Sequence, residues 1–455
     1  MKIARTLGWR IAGIVLACLS LAPGCRPAQA PQAQHPRYFR VAEQNGIWSL
    51  EDPQEMTFFS IGINVVAPID SEDVPGPKYD GLTEHRGDVE RWKAQTLERL
   101  NAWNVNTIGA WSNLRGKPYV VELSLTYSWI DVFGEDFETY VRGAAMNSLK
   151  RDDVAADYAT LDSDPLLIGY FTDNELAWGW GYGWTGEKGE KQDYSLFEFY
   201  ASMKPETAGK RAWASYLAET YHQNWKRLSE VWTVDSERIQ DLVQATRIAP
   251  RSPKHFTEAA RVGGGFLQRI AERYFEVTSR VMRAHLPHHL NLGTRLTPGF
   301  PEAVAKTAGQ YVDVVSFNMY TRDLDHFRRE VTRLHNASGR PVLITEFAFP
   351  AWENRSGNKN RGYEDAEVRN DKERGDYLAR CVAMFGEMPF VVGCHWFQHH
   401  DEPTNGRSDG ESVNFGFVDL NNRVYEDLAR SAADANARVV KRRGGATVAS
   451  LPEKR

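Results

Sequence analysis

The chain has 455 residues, of which 42% are hydrophobic, 25% charged and 12% aromatic. This composition is typical of a folded globular protein, and it excludes disordered and collagen-like chains. The formal net charge is −5, and removal of residues 1–24, which contain three basic and no acidic residues, makes it −8. Because nucleic-acid-binding proteins are more often basic, no nucleic-acid partner is expected.

Aromatic side chains are more numerous than a hydrophobic core needs. The chain contains 14 Trp and 18 Tyr, and the run from Trp178 to Trp184 alternates aromatic residues with glycine. Rings with one apolar face and one polar handle are suited to binding sites that are partly wet. The excess predicts a cleft for a sugar or another flat ligand.

The N-terminus has the pattern of an export signal. Three basic residues precede the apolar stretch 11–21, which is too short for a permanent transmembrane helix. Residues 28–30 fit a cleavage site, whereas residues 21–25 resemble a bacterial lipoprotein box that ends at Cys25. We therefore expect export, either with a lipid anchor on Cys25 at the cell envelope or as a periplasmic or secreted protein. A buried N-terminal helix is the alternative.

Residues 25–37 are rich in Pro and Gln and predict a flexible tether, residues 38–440 the folded body, and residues 441–455 a disordered tail. The body contains two cysteines, Cys381 and Cys394. Two cysteines cannot form a four-ligand zinc site. The exported compartment allows a disulfide between them, but we favour two buried thiols.

Short apolar runs alternate with helical stretches through the body, which indicates parallel βα units. The helical spacing of residues 89–103 and 266–286 predicts helices that cover a sheet. Eight strands are predicted, the number that closes a (β/α)8 TIM barrel, which is an α/β fold. They span residues 58–65, 106–111, 119–125, 166–171, 290–296, 312–320, 341–347 and 391–397, with a helical turn as the alternative for the third.

The segment after strand four is longer than an ordinary βα loop. Residues 176–261 contain their own helical pattern, which includes Trp213, Tyr221 and Trp232. We interpret this segment as a helical insertion after strand 4, beside the mouth of the barrel.

Two glutamates follow strands on opposite sides of the predicted barrel. Strand four ends in Thr172-Asp173-Asn174-Glu175, and strand seven ends in Thr345-Glu346-Phe347. Functional groups of such barrels project from the C-terminal ends of the strands. Hydrolysis of a glycosidic bond needs one carboxylic acid and one carboxylate in different environments. We therefore predict Glu175 and Glu346 as the catalytic pair, and Asn174 as a donor to a sugar 2-hydroxyl; a barrel-end ion pair is the alternative for each glutamate.

These motifs resemble those of known enzymes. Asn-Glu after strand four and Glu after strand seven resemble the retaining β-glycosidases of glycoside hydrolase clan A. The stretches FTDNELAWG (residues 171–179) and WFQHHDEP (396–403), continuing to residue 411, are most similar to glycoside hydrolase family 50, the β-agarases. The resemblance extends to residues 48–53, 213–232 and 291–295, and residues 213–232 also resemble family 42 β-galactosidases.

The resemblance implies a role for four residues. Glu175 would be the general acid/base and Glu346 the nucleophile of a double displacement with net retention, which requires carboxyl groups about 5 to 5.5 Å apart. Tyr320, at the end of strand six, would donate a hydrogen bond to the nucleophile. Trp396, at the end of strand eight, would form a platform for a sugar ring; strand-end packing is the alternative for both aromatic residues.

Further candidates for substrate binding follow other strands. Each of them either contacts the ligand or braces a loop. After strands one, two and five they are Asn64, Trp111, Asn113 and Arg295; after strand eight they are Asp401, Arg407, Asp409 and Glu411, for which a loop-ordering ion-pair network is the alternative.

No metal or other cofactor is predicted. His395, His399 and His400 lie near Asp401, but adjacent residues on a strand point to opposite faces, so this run does not form a compact ligand set.

The sequence therefore predicts an exported retaining β-glycoside hydrolase that acts from chain ends on a β-linked galactan, either an agarose-type polysaccharide or its oligosaccharides. The alternatives are a β-galactosidase-like enzyme for small β-galactosides, an enzyme for another marine galactan, and a catalytically inactive sugar-binding barrel. The expected partner is a polysaccharide or oligosaccharide. Any membrane contact would be made through the lipid on Cys25, and the oligomeric state is not predicted.

Overall fold

The computed structural model describes residues 37–126, 131–154, 158–178 and 195–444. The predicted export signal, the tether up to residue 36, residues 179–184 of the aromatic run and the tail beyond residue 444 lie outside the described residues. Within the described ranges, no helix combines the length and the apolar character needed to cross a membrane.

The described residues form an α/β fold with a parallel sheet at its centre. In chain order, the strands are β1 (Arg40–Gln44), β2 (Ile47–Glu51), β3 (Thr57–Phe58), β4 (Ser60–Ile63), β5 (Thr107–Ile108), β6 (Tyr119–Glu122), β7 (Leu167–Phe171), β8 (Asp173–Asn174), β9 (Trp232–Val234), β10 (Ile248–Pro250), β11 (Leu290–Asn291), β12 (Thr294–Leu296), β13 (Val315–Asn318), β14 (Val342–Phe347) and β15 (Val391–Trp396). The α-helices are α1 (Val89–Ala102), α2 (Phe137–Ser148), α3 (Leu196–Ser202), α4 (Ala208–Thr220), α5 (Trp225–Val231), α6 (Phe256–His285), α7 (Glu302–Tyr311), α8 (Leu324–Ser338), α9 (Asp371–Glu387) and α10 (Glu426–Arg442).

Ten strands form the central sheet, in the order β11-β7-β6-β5-β4-β15-β14-β13-β12-β8. All of its neighbouring strands are parallel. Each of the eight predicted strands contains at least one of them, and the third is a strand rather than a helical turn. Predicted strand four contains β7 and is followed by the short strand β8, and predicted strand five is divided into β11 and β12. Because β11 pairs with β7 and β12 pairs with β8, this curled sheet is compatible with a TIM-like barrel.

The break in the fifth strand depends on Gly293. Its φ of +72° lies in the left-handed region that favours glycine. The Gly293 N–H donates to the Asn291 Oδ1, and the chain then continues as β12 beside β8. This local turn brings Arg295 to the edge of the sheet at which β8 ends.

Helices cover the sheet with their apolar faces. In α1 the Asp88 side chain accepts hydrogen bonds from two backbone N–H groups of the first turn, and Trp92, Thr96 and Leu100 form the buried face. The second predicted covering helix lies within the 30-residue α6, whose buried residues include Ile270 and Tyr274. Strands buried on both faces are expected beneath such a layer.

The segment between β8 and α6 contains α3, α4 and α5 and the antiparallel pair β9 and β10. The predicted helical pattern at residues 213–232 corresponds to α4 and α5, and Trp213 is fully buried. Residues 179–194 of this segment lie outside the described residues.

The two cysteines of the body, Cys381 and Cys394, are buried free thiols. Burial raises the pKa of both thiols, so they stay protonated.

Substitution of two glycines tests how closely β7 and β11 approach each other. A Cβ atom on Gly169 of β7 would lie 2.2 Å from the Leu290 carbonyl oxygen, whereas one on Gly143 of α2 would meet no atom within 4 Å. We expect Gly169→Ala to lower the free energy of unfolding by about 1–3 kcal/mol, because backbone must move. Gly143→Ala should raise it by about 0.5–1 kcal/mol. Urea unfolding of both variants measures the difference; equal effects would contradict the strand contact.

Candidate active site

The two predicted glutamates lie at the same edge of the central sheet. Glu175 directly follows β8, and Glu346 is the penultimate residue of β14. The strands β12 and β13 separate β8 from β14 in the sheet. Because all of these strands are parallel, their carboxyl ends face the same side of the molecule.

Arg295 of β12 is the central buried cation of this site. Its side chain has no exposed surface, and its Nη1 lies 2.8 Å from the Glu346 Oε1. The same Nη1 donates to the Asn174 Oδ1 at 3.2 Å, and Nη2 donates to the Thr345 carbonyl oxygen at 2.7 Å. The guanidinium carbon lies 4.5 Å from the centroid of the Trp111 ring. The predicted contact of Arg295 with substrate is thus replaced by a bracing role between three strands.

Tyr320 makes the hydrogen bond that the family resemblance implies. Its hydroxyl donates to the Glu346 Oε2 at 2.5 Å. The Tyr320 ring packs edge-on against Tyr363 and tilted against Phe415. Both oxygens of Glu346 therefore accept from a donor.

Glu175 is held by a residue that the sequence reasoning missed. The Asn318 Nδ2 donates to the Glu175 Oε1 at 2.9 Å and to the Asn174 Oδ1 at 3.1 Å. The Asn318 Oδ1 accepts from the Thr345 hydroxyl at 2.6 Å. Asn318 stands two residues before Tyr320, a spacing that puts both on one face of a strand, and this was the available signal.

The pKa of each carboxyl group is raised. Burial is the main cause for both; it raises the pKa of Glu346 to about 7, even though Arg295 and Tyr320 lower it, and the negative charge of Glu175 adds to the rise. The Asn318 hydrogen bond and the Arg295 charge partly oppose the rise of the Glu175 pKa. Two such carboxyl groups resist being ionised together. Glu346 accepts from a guanidinium and a phenol, whereas Glu175 accepts from one amide, so the two carboxyl groups differ in their hydrogen-bond donors.

Two of the remaining candidates, Asn174 and Asn113, have side chains with exposed surface. The Asn174 side chain is partly exposed, and its Nδ2 makes no hydrogen bond to the described residues. Asn113 is exposed where the chain leaves β5. Both residues lie at the carboxyl ends of parallel strands, as the glutamates do.

Asn64 and Trp111 brace the site. Asn64 is fully buried; its Nδ2 donates to the Thr345 carbonyl oxygen and its Oδ1 accepts from the Ala110 N–H. The Trp111 Nε1 donates to the Glu122 Oε2 at 3.2 Å, while its ring supports Arg295. The predicted ligand contact is therefore not available to Asn64.

The predicted sugar platform at Trp396 is wrong. Its side chain is 2% exposed, its Nε1 donates to the Phe415 carbonyl oxygen at 2.7 Å, and its ring packs against Phe347 and Phe417. The Trp396 side chain points inward at the end of β15, so this indole is part of the hydrophobic core.

The loop after β15 divides into a buried part and a partly exposed part. Asp401 has no exposed surface and accepts from the Ser356 hydroxyl, the Tyr425 hydroxyl and the Gly416 N–H, so the predicted substrate contact is corrected to a loop brace. Further along this loop, Arg407 and its acidic neighbours form the ion-pair network that was the alternative. Arg407 pairs with Asp409 at 2.5 Å, with the buried Glu402 at 3.3 Å and with Glu411 at 3.9 Å.

The three histidines are buried and neutral. Burial lowers the pKa of His395 and of His400 to about 3, and it lowers that of His399 well below the usual range. The ring of His400 stacks on Tyr79 with centroids 4.2 Å apart. Over the described ranges, no group of three or more His, Cys, Asp or Glu side chains is arranged to hold a metal ion.

The Tyr320 hydroxyl offers a direct test of the electrostatics. In Tyr320→Phe, the Glu346 carboxylate loses one of its two donors, so its pKa should rise above that of the native protein. Titration of 13C-labelled glutamate carboxyl groups by NMR measures this, with Glu346→Gln to assign the signal. Tyr377→Phe, on α9 and in contact with Phe349, is the control. An unchanged Glu346 titration in Tyr320→Phe would contradict the assigned hydrogen bond.

Known proteins resemble this chain in sequence and in fold. Residues 278–415 match the family model described as the glycosyl hydrolase catalytic core. The chain is 25% identical to beta-agarase B of Vibrio sp. (strain JT0107), over 90% of this chain and 49% of that protein. Beta-agarase A of the same strain is 24% identical, over 91% of this chain and 47% of that protein. This chain thus spans about half the length of the curated relatives that it matches.

A solved structure of an exo-beta-agarase shares the fold, with a TM-score of 0.73 and 20% sequence identity. The superposition covers 91% of this chain and 67% of the other. Together, the matched family model and the two agarase relatives support a glycoside hydrolase.

Proposed function

We propose that this protein is a retaining β-glycoside hydrolase of the family 50 type, which acts from chain ends on agarose-type β-galactan or its oligosaccharides. The observation that carries the proposal is the unequal hydrogen bonding of the two glutamates. Glu346 accepts from Arg295 and Tyr320, and Glu175 accepts from Asn318. One carboxylate and one carboxylic acid are the groups that a glycosidase needs.

In the first step, the Glu346 carboxylate attacks the anomeric carbon and forms an ester bond to the sugar. The bond from that carbon to the leaving oxygen breaks, and the oxygen takes the proton of Glu175. In the second step, the Glu175 carboxylate accepts a proton from water, and the water oxygen attacks the same carbon. The ester bond to Glu346 breaks, which restores both groups and retains the anomeric configuration.

The Asn174 amide is a positioned donor in this scheme. Two hydrogen bonds, from Arg295 and Asn318, fix its Oδ1, so its Nδ2 has a defined direction. A donor of this kind can bind the sugar 2-hydroxyl, a contact that strengthens in the transition state.

The charge of the site favours a neutral galactan over a sulfated one. Glu175, Glu346 and Glu411 act on one another electrostatically, and the nearby guanidinium groups of Arg295 and Arg407 already pair with carboxylates. A sulfate group would therefore meet uncompensated negative charge. The relatives named as beta-agarases support the agarose type, and the strand-eight loop together with the long segment after strand four motivates action from chain ends.

The same proposal extends to the rest of the chain. We propose a closed (β/α)8 barrel with a helical insertion at residues 176–261, within a catalytic domain at residues 38–440. Residues 1–24 would direct export, and residues 25–37 would tether the domain, with Cys25 as the site of a lipid anchor.

A substrate panel tests the reaction. Residues 26–455 are incubated with agarose, neoagaro-oligosaccharides, carrageenans and aryl β-galactosides, and the products are resolved by mass spectrometry. We expect one disaccharide from agarose at early times and no cleavage of carrageenan. A mixed series of product lengths would overturn action from chain ends. Release from aryl galactosides alone would favour the β-galactosidase-like alternative, and binding without any product would favour the inactive sugar-binding barrel.

Two substrates with different leaving groups distinguish the roles of the two glutamates. On oligosaccharide, Glu175→Gln should lower kcat/KM by about 10²- to 10⁴-fold, and Glu346→Gln by on the order of 10⁴-fold or more. On an aryl glycoside of the released sugar, whose phenol leaves without a proton, the loss in Glu175→Gln should shrink while that in Glu346→Gln persists. Glu353→Gln, an exposed residue paired with Arg369, is the control. If Glu175→Gln lost kcat/KM equally on both substrates, the assignment of acid and nucleophile would be contradicted.

A further inference from the structure

Two loops join beside the glutamates, one after β14 and one after β15. The Asn360 N–H donates to the Ser412 carbonyl oxygen at 3.0 Å, and the Asn360 Oδ1 accepts from the Asn414 N–H at 3.0 Å. Arg322 fixes the first loop from the side of β13, since its guanidinium donates to the carbonyl oxygens of Glu364 and Asp365. Both loops are therefore held in place at the point where Tyr363 and Glu411 meet.

Tyr363 connects Glu411 to the nucleophile side of the site. Its hydroxyl donates to the Glu411 Oε1 at 2.9 Å. Its ring lies edge-on to that of Tyr320, with centroids 5.1 Å apart, and the Tyr320 hydroxyl binds Glu346. A phenol in this position restrains the orientation of the Glu411 carboxylate and its distance from the Tyr363 hydroxyl.

The charge of Glu411 is only partly neutralised. Its Oε2 lies 3.9 Å from the Arg407 Nη1, whereas Arg407 makes closer pairs with Asp409 and Glu402. The Glu411 side chain is 20% exposed, so solvent reaches part of it. A carboxylate that shares its guanidinium with two others leaves net negative charge beside the catalytic pair.

We propose that Tyr363 and Glu411 form a positioning pair, in which the phenol holds the carboxylate at the cleft so that its charge keeps a proton on Glu175. This inference rests on the proposed function, because it assigns Glu175 the acid role. The charged or titratable groups that interact electrostatically with Glu175 among the described residues include Arg295, Tyr320, Glu346, Tyr363, Arg407 and Glu411. Glu346 and Glu411 favour the protonated form of Glu175, and the two arginines oppose it.

The role of Tyr363 is indirect, since its effect passes through Glu411. Neither residue needs to touch the scissile bond. Burial is the main cause of the raised pKa of Glu175 and of Glu346, and the negative charge of Glu411 adds to both rises. A structural role alone would make both residues matter for folding but not for the proton on Glu175.

The test is a titration of the Glu175 carboxyl group in the full folded chain by 13C NMR, with Glu175→Gln to assign the signal. In Glu411→Gln, Glu175 should lose its proton about one pH unit lower than in the native protein. Tyr363→Phe should give a smaller shift in the same direction, and the double variant should match Glu411→Gln alone. Glu364→Gln and Tyr377→Phe are the controls for the lost charge and the lost hydroxyl.

The basic limb of the pH profile of kcat/KM should move by the same amounts in the same variants, which a merely structural residue would not cause. An unchanged Glu175 titration in Glu411→Gln, or a Tyr363→Phe effect that adds in full to that of Glu411→Gln, would overturn the pair. If the native chain cleaves no sugar, the proposed function fails while the titration still tests the pair.

Discussion

The site depends on one buried guanidinium. Arg295 has no contact with solvent, and burial of a charge without a partner would cost several kcal/mol. Glu346 supplies the opposite charge, while Asn174 and the Thr345 carbonyl oxygen each accept a hydrogen bond from the guanidinium. Because these partners come from β8 and β14, their ion pair and hydrogen bonds fix the ends of two separate strands. The turn at Gly293 delivers Arg295 to that position.

The chemical difference between the two glutamates follows from this arrangement. Burial raises the pKa of both, so the site favours one negative charge over two. The two carboxyl groups differ in their donors, since Arg295 and Tyr320 donate to Glu346 and the amide of Asn318 donates to Glu175. A charge at Glu411, held by Tyr363, acts on this pair from the loop side. Fold, charge and proposed mechanism are thus linked through a small set of contacts.

The periodicity of the sequence predicted the strands, because residues buried on both faces form short apolar runs. The end of each strand likewise predicted where polar groups collect. The sequence was a poorer guide to which side chains turn outward. Trp396 packs inward, and both ends of the Asn64 amide form hydrogen bonds with backbone groups. Contacts between loops, such as Tyr363 with Glu411, join residues 48 positions apart and leave no local pattern. The short strand β8 after strand four and the division of strand five also depend on pairing rather than on composition.

The proposed mechanism requires that Glu346 forms a covalent bond to the sugar and that Glu175 serves as the acid and base. The most direct measurement is 1H NMR of the first product formed from a neoagaro-oligosaccharide, before its anomers equilibrate. Two displacements at one carbon predict the β-anomer as the initial product. Initial appearance of the α-anomer would show a single displacement by water, and it would contradict the assignment of Glu346 as nucleophile.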